Sequence, residues 1–202
     1  MKAKILLVTL GIGIGAAAWA GQPPQVEYSA DSMMETAEVS MKGRVHYTPT
    51  RERREMVQGG QKMITIQRQD KKVMWTLMPE EKMYMEMSLD RKRAPGDLSG
   101  YKIEQTKVGP ETVNGVSATK SKVIMTDAKG AKMGGFMWTT KDGIVVKTDV
   151  VAVDKGGKQR MKMELTNLKV TKQDAALFEI PTGYTNMDMG GMMGLGNMGR
   201  HK

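Results

Sequence analysis

The chain has 202 residues, 31 Lys and Arg against 22 Asp and Glu for a formal net charge of +9, no cysteine and 21 methionines. Such a length supports one domain with a sizeable core, and the missing cysteines exclude disulfides and thiol chemistry. The basic balance suits anionic surfaces; with aromatics too few and scattered for a base-stacking platform, lipid head groups, lipopolysaccharide or an acidic protein are the expected partners rather than nucleic acid.

The first twenty residues read as an export signal. Lys2 and Lys4 form a positive start, Ile5 to Ala18 is apolar and rich in small residues, and Ala18 and Ala20 sit at −3 and −1 of a signal-peptidase site. The apolar run is shorter than the roughly 20 residues a bilayer span needs, and Pro23-Pro24 follows it, so cleavage before Gly21 and a periplasmic location are expected, with no membrane span afterwards. Losing Lys2 and Lys4 lowers the +9 to +7.

Val26 opens an alternating stretch that favours a strand over the helical turn also readable from Asp31. Lys42 to Val57 alternates, breaks at Pro49 and resumes in RERREMV, where Arg51, Arg53 and Arg54 read as a solvated edge or turn. From Gln61 onward an antiparallel meander is predicted, with strands at Lys62–Arg68, Lys72–Met78, Lys82–Ser88, Tyr101–Pro110, Val116–Thr126, Gly135–Thr140, Ile144–Asp154 and Lys158–Val170. Turn residues separate them, among them Pro79-Glu80, Asn114-Gly115 and Lys141-Asp142-Gly143. A basic segment at Asp90–Ser99 interrupts the meander, and Asp174 to Phe178 makes a short helical turn that Pro181 ends.

The segments VMWTLMPEEKMYMEMS, FMWTTKDGIVVKTDV and LTNLKV, with the ending KQDAALFEIPTGY, resemble bacterial periplasmic domains of the LolA and LolB lipoprotein-carrier superfamily. Within it the chain is similar to an uncharacterised branch. The resemblance covers about Glu27 to Tyr184 and implies a mostly β fold: a single strongly curved antiparallel sheet, an incomplete barrel, with one or two short helices and an apolar cavity for lipid or acyl chains. No ligand-gating residue of the carriers matches a position here. The organisation expected is therefore a signal peptide at 1–20, a curved-sheet domain at 21–184 and a Gly/Met-rich tail at 185–202.

Methionine is the chemical signature. In the hairpin Lys71–Ser88, Met74, Thr76 and Met78 share one face of the first arm, opposite Val73, Trp75 and Leu77, while Met83, Met85 and Met87 share a face of the second. Unbranched and polarizable, methionine suits irregular apolar ligands. Met74, Met78, Met83, Met85 and Met87, with Trp75 and Trp138, are the expected ligand-binding residues. The strand methionines Met63, Met125, Met137, Met161 and Met163 also alternate with polar residues, as residues that simply pave a sheet would. Beyond Tyr184 a second group, Met187, Met189, Met192, Met193 and Met198 with His201, has no core to join. Thioethers select soft ions, so this tail is a candidate Cu(I) or Ag(I) site, or else a low-complexity tail.

No catalytic residues emerge. His46 is the only histidine before the tail, no serine sits in a G-x-S-x-G setting, and the acidic residues Asp70, Glu80 and Glu81 lie in predicted turns. Three readings follow: a non-enzymatic binder of lipid or another apolar ligand, a soft-metal binder working through its tail, and a structural or partner-binding envelope module.

Overall fold

The computed structural model describes residues 23–89, 101–128, 130–154 and 157–187. The expected signal peptide, the basic segment Asp90–Ser99 and the tail from Asp188 onward lie outside the described residues.

Among the described residues twelve strands form one open sheet. They are β1 (Tyr28–Glu35), β2 (Ser40–Thr48), β3 (Arg51–Gln58), β4 (Gln61–Arg68), β5 (Val73–Met78), β6 (Met83–Ser88), β7 (Lys102–Val113), β8 (Val116–Thr126), β9 (Lys132–Thr139), β10 (Val145–Asp154), β11 (Gly157–Val170) and β12 (Thr185–Asn186). Their order is β12-β6-β5-β4-β3-β2-β1-β11-β10-β9-β8-β7. Two meanders are thus joined where β1 pairs with β11, and every pairing is antiparallel except the short β12 beside β6.

The predicted strands from β4 to β11 are all present, and the hairpin arms pair, Met74 opposite Met87 and Met78 opposite Met83, but the meander is split, with β6 and β7 near opposite ends of the sheet instead of side by side. Further differences lie upstream. The stretch before Gln61 makes three full strands, and RERREMV is no edge: β3 runs between β2 and β4 with both neighbours fully paired. Its arginines alternate across the sheet and find carboxylates there, which is how so charged a strand survives in an interior position.

The strand period divides the residues into two faces. On the face we call inner, Ala30, Val45, Val123, Val150 and Leu165 are buried, although no second layer of structure covers them among the described residues. Rolling of the sheet does the covering. The Asn114-Gly115 turn of the β7–β8 hairpin, with both residues at positive φ, projects past β9 and reaches back so that the Asn114 amide donates to the Leu165 carbonyl at 2.9 Å. Three strands lie between β7 and β11, so only a tightly curled sheet can make that bond. Two glycines mark where it bends. A methyl group at Gly135 would lie 2.0 Å from the Asp149 carbonyl oxygen and one at Gly43 1.8 Å from that of Glu55, so the neighbouring backbone crosses where an inner side chain would stand.

On the outer face a strap covers the sheet over β3 to β5. This C-terminal strap leaves β11 and is tied to Glu27 by bonds from the Thr171 and Gln173 backbone N–H groups at 3.0 and 2.6 Å. It then forms the expected short turn, a 3-10 helix at Ala175–Phe178 capped by Asp174. Phe178 is fully buried against Ile64, Ile66, Trp75 and Leu77, a second core separate from the inner one. Arg68, buried beneath the strap, donates to the Phe178 carbonyl at 3.1 Å, holds Asp70 bidentately at 2.8 Å and contacts Glu179, while Arg53 donates to the Leu177 carbonyl at 3.1 Å. The strap ends beside β6, where the Thr185 and Met187 N–H groups donate to Lys82 and Tyr84 carbonyls at 2.9 and 2.7 Å.

Two outcomes follow. Phe178→Ala should cost about 3 to 5 kcal/mol in denaturant unfolding, because the cavity opens in a small core that cannot collapse. The hydrogen bonds from Arg68 hold the Asp70 carboxyl down from 3.8 to about 2. A depressed carboxylate contributes stability that is fully present above its unfolded value and disappears as the folded group protonates. Stability measured against pH should therefore fall between about 4 and about 2, and Asp70→Asn should flatten that slope.

Candidate methionine face

In β1–β6, nine of the ten methionines point to the inner face, Met33 alone pointing outward. Composition bias would not respect faces. The same strands carry Ile64, Ile66, Val73 and Leu77 on the outer side, so branched residues are used where packing under the strap is the only demand.

Strand register arranges the inner face in rows across the sheet. Nearest the β4–β5 turn, Tyr47 is opposite Glu52, which is followed by Gln67, Met74 and Met87. The next row is Val45, Arg54, Thr65, Thr76 and Met85. The third runs Ser32, Gly43, Met56 and Met63; one further step of the β4–β5 register sets Met63 opposite Met78, itself paired with Met83. Beyond it Met163, Met34 and Met41 continue the methionine surface toward the rolled half. The result is an apolar concavity crossed by one polar strip.

Exposure falls from the sheet's edge toward its roll. Met63 and Met87 are each 39% exposed, Met78, Met83 and Met85 half-buried, Met74 nearly buried, and Val45 and Ala30 fully so. Arg54 is neutralised by Glu52, with which it pairs directly; burial would lower its pKa, but the carboxylate more than offsets this and raises it. Burial and the same carboxylate push the neighbouring Tyr28 phenol up and carry Tyr47 to about 12, so both stay neutral. Their rings stack at 5.0 Å and close the deep end of the concavity. The recess beside the β2–β3 turn, lined by Tyr47, Pro49, Arg51 and Gln67 among others, holds about 20 Å³, room for one water.

Of the residues expected to bind ligand, Met74, Met78, Met83, Met85 and Met87 do come together on this face. Trp75 and Trp138 do not join them. Both are buried, as expected, but on the outer face. Trp75 donates to Glu86 at 2.8 Å beneath the strap, with Lys71 5.4 Å from its ring, and Trp138 lies between Lys120 and Lys147 at 5.0 and 5.2 Å. Met34, Met41, Met56 and the Glu52–Arg54 pair belong to the face although sequence reasoning did not select them; their signal was the alternation Met41-Gly43-Val45-Tyr47 and Glu52-Arg54-Met56. Of the tail candidates only Met187 is described, half-buried beside β6, while Met189, Met192, Met193, Met198 and His201 lie outside the described residues. His46 faces outward and pairs with Gln173 at 2.8 Å. Among the described residues no group of three or more His, Cys, Asp or Glu could hold a metal, and no helix is long and apolar enough to cross a membrane.

Comparison with known proteins places these observations in a family. A domain of unknown function, DUF4412, matches residues 25–148. No curated protein sequence matches the chain. An uncharacterised conserved protein from Thermus thermophilus superposes with a TM-score of 0.56 at 15% identity, over 81% of this chain and 90% of that one. In the Pseudomonas aeruginosa MucA/MucB complex the matching chain gives 0.50 at 12% identity, over 78% of this chain but 56% of its own length. A putative outer-membrane lipoprotein-sorting domain from Vibrio parahaemolyticus gives 0.36 at 13% identity, over 84% and 95%.

If the roll depends on bare backbone at the bend, Gly135→Ala should lower unfolding free energy by at least about 2 kcal/mol, whereas Gly157→Ala at the start of β11, where nothing lies within 4 Å among the described residues, should cost only the strain of its positive φ.

Proposed function

The chain belongs to the DUF4412 family, and from that premise we propose that it is a non-enzymatic periplasmic binding protein that takes a lipid, an acyl chain or a similar apolar ligand on its methionine face. One observation carries the reading. The inner face of β3–β6 is rich in methionine, concave and half-exposed, while the inner face of β7–β11 is buried by the roll and the apolar residues Ile64, Ile66, Trp75 and Leu77 on the outer side are buried by the strap. The export signal read at residues 1–20 supports an envelope location, and the uncharacterised branch of periplasmic domains that the sequence resembles is consistent with it.

Methionine supplies what such a ligand needs. Its three rotatable bonds let the surface repack around chains of different length and unsaturation, where a Val or Ile surface would fit only one shape. The polar strip of Thr65, Thr76 and Gln67 gives an ester or hydroxyl group somewhere to bond without breaking the apolar rows. Burying about 16 methylenes gains roughly 13 kcal/mol at ~0.8 each, against an association cost of ~4 or more, enough for micromolar binding by long chains and little by short ones. Catalysis has no support in the same residues, since the one histidine of the folded region faces away from the concavity and is already hydrogen-bonded.

A fluorescent long-chain fatty acid titrated into the purified chain should bind saturably. Met85→Asp should abolish that binding by placing a charge between Met83 and Met87 on the β6 side of the face, while Met33→Asp, on the outer side of the same sheet, should leave it within about twofold. Wild-type protein that binds no such probe, or equal binding by Met85→Asp, would overturn the reading.

A further inference from the structure

We propose that the row Met56, Met63, Met78 and Met83 is a soft-metal site that takes Cu(I) or Ag(I) through thioether sulfurs. The four residues occupy four consecutive strands at one level of one face. Neighbouring strands are ~4.8 Å apart, and each methionine side chain is long and freely jointed, so three sulfurs from adjacent strands can converge on one ion without moving the backbone. Soft monovalent ions are what thioethers select, and oxygen-seeking ions find no set of carboxylates or imidazoles among the described residues.

Three further features fit a cation at this place. Arg54, one row away, is neutralised by Glu52 and adds no net repulsion. Met63 is among the most exposed of the large apolar residues, at 39%, so the row can be reached from solvent. Met187 is held against β6 by the bond from its N–H to the Tyr84 carbonyl, next to Met83. The proposal requires only that the methionines face inward and stands whether or not an apolar ligand binds there.

The test uses the full chain labelled with methyl-¹³C methionine and titrated with Ag(I), the methyl signals being assigned by single Met→Leu substitutions. The first equivalents should shift the methyl signals of Met63, Met78 and Met83, and the double substitution Met63→Leu/Met78→Leu should lower the silver stoichiometry by one equivalent. Leucine keeps the apolar volume, so the same variant should remain folded, which its thermal unfolding checks. Shifts confined to methionines of residues 188–202, no shift at all, or unchanged stoichiometry in the folded double variant would overturn the site. Because the wild-type spectra locate the ion by themselves, a variant that fails to fold leaves the decision intact. Failure of the fatty acid to bind wild type would count against the apolar-ligand reading alone, since the silver shifts are read without it.

Discussion

A single sheet with no second layer can bury one of its faces only against itself, and the architecture follows from that constraint. Rolling β7–β11 and β1–β2 around their own side chains makes a core without a helix, but the roll needs places where backbone approaches backbone, which Gly43 and Gly135 supply. It also needs a closure, and the Asn114-Gly115 turn provides one by folding the free hairpin onto β11. What the roll cannot do is continue indefinitely. The strands β3–β6 extend beyond it, and their inner face remains a shallow concavity.

The outer face of those same strands is resolved differently, by a strap whose backbone carbonyls are held by buried arginines. Arg68 is bonded to the carbonyl of Phe178, to Asp70 and to Glu179, so its charge is compensated on every side while the apolar body of Phe178 fills the core beneath. Glu179 shows the balance: burial would raise its pKa, and bonds from Arg68 and Lys71 more than reverse this. Stiffening one side of β4–β6 in this way holds the other side in shape. The strap thus links a local sequence, Asp174 to Tyr184, to the geometry of the methionine face, which it does not touch.

Much of this was readable from pattern alone. Alternation with turn residues placed β4–β11 to within a few residues and put Met83, Met85 and Met87 on one face, but it left open which row of the first arm they would lie beside. The arginine-rich strand was misread because charge at Arg51, Arg53 and Arg54 suggests solvent, whereas here Glu52 and Glu55 accompany them and satisfy the charge within the sheet. Trp75 and Trp138 were grouped with the methionines for their chemistry, although the alternation that separates Trp75 from Met74 was plain in the sequence. The strap's role was not legible at all, because a segment with only Leu177, Phe178 and Ile180 to bury gives no hint of which face will receive them. Nor does local pattern reveal a roll, since the Asn114 to Leu165 bond joins residues 51 apart.

The central claim is that the methionine face is built to be occupied by something apolar, and native mass spectrometry of the protein taken directly from the periplasm tests it most directly. The account predicts a population carrying the added mass of one acyl lipid, stripped by mild collisional activation. A spectrum holding only unliganded chain, from cells whose envelope lipids are present in the same preparation, would contradict it.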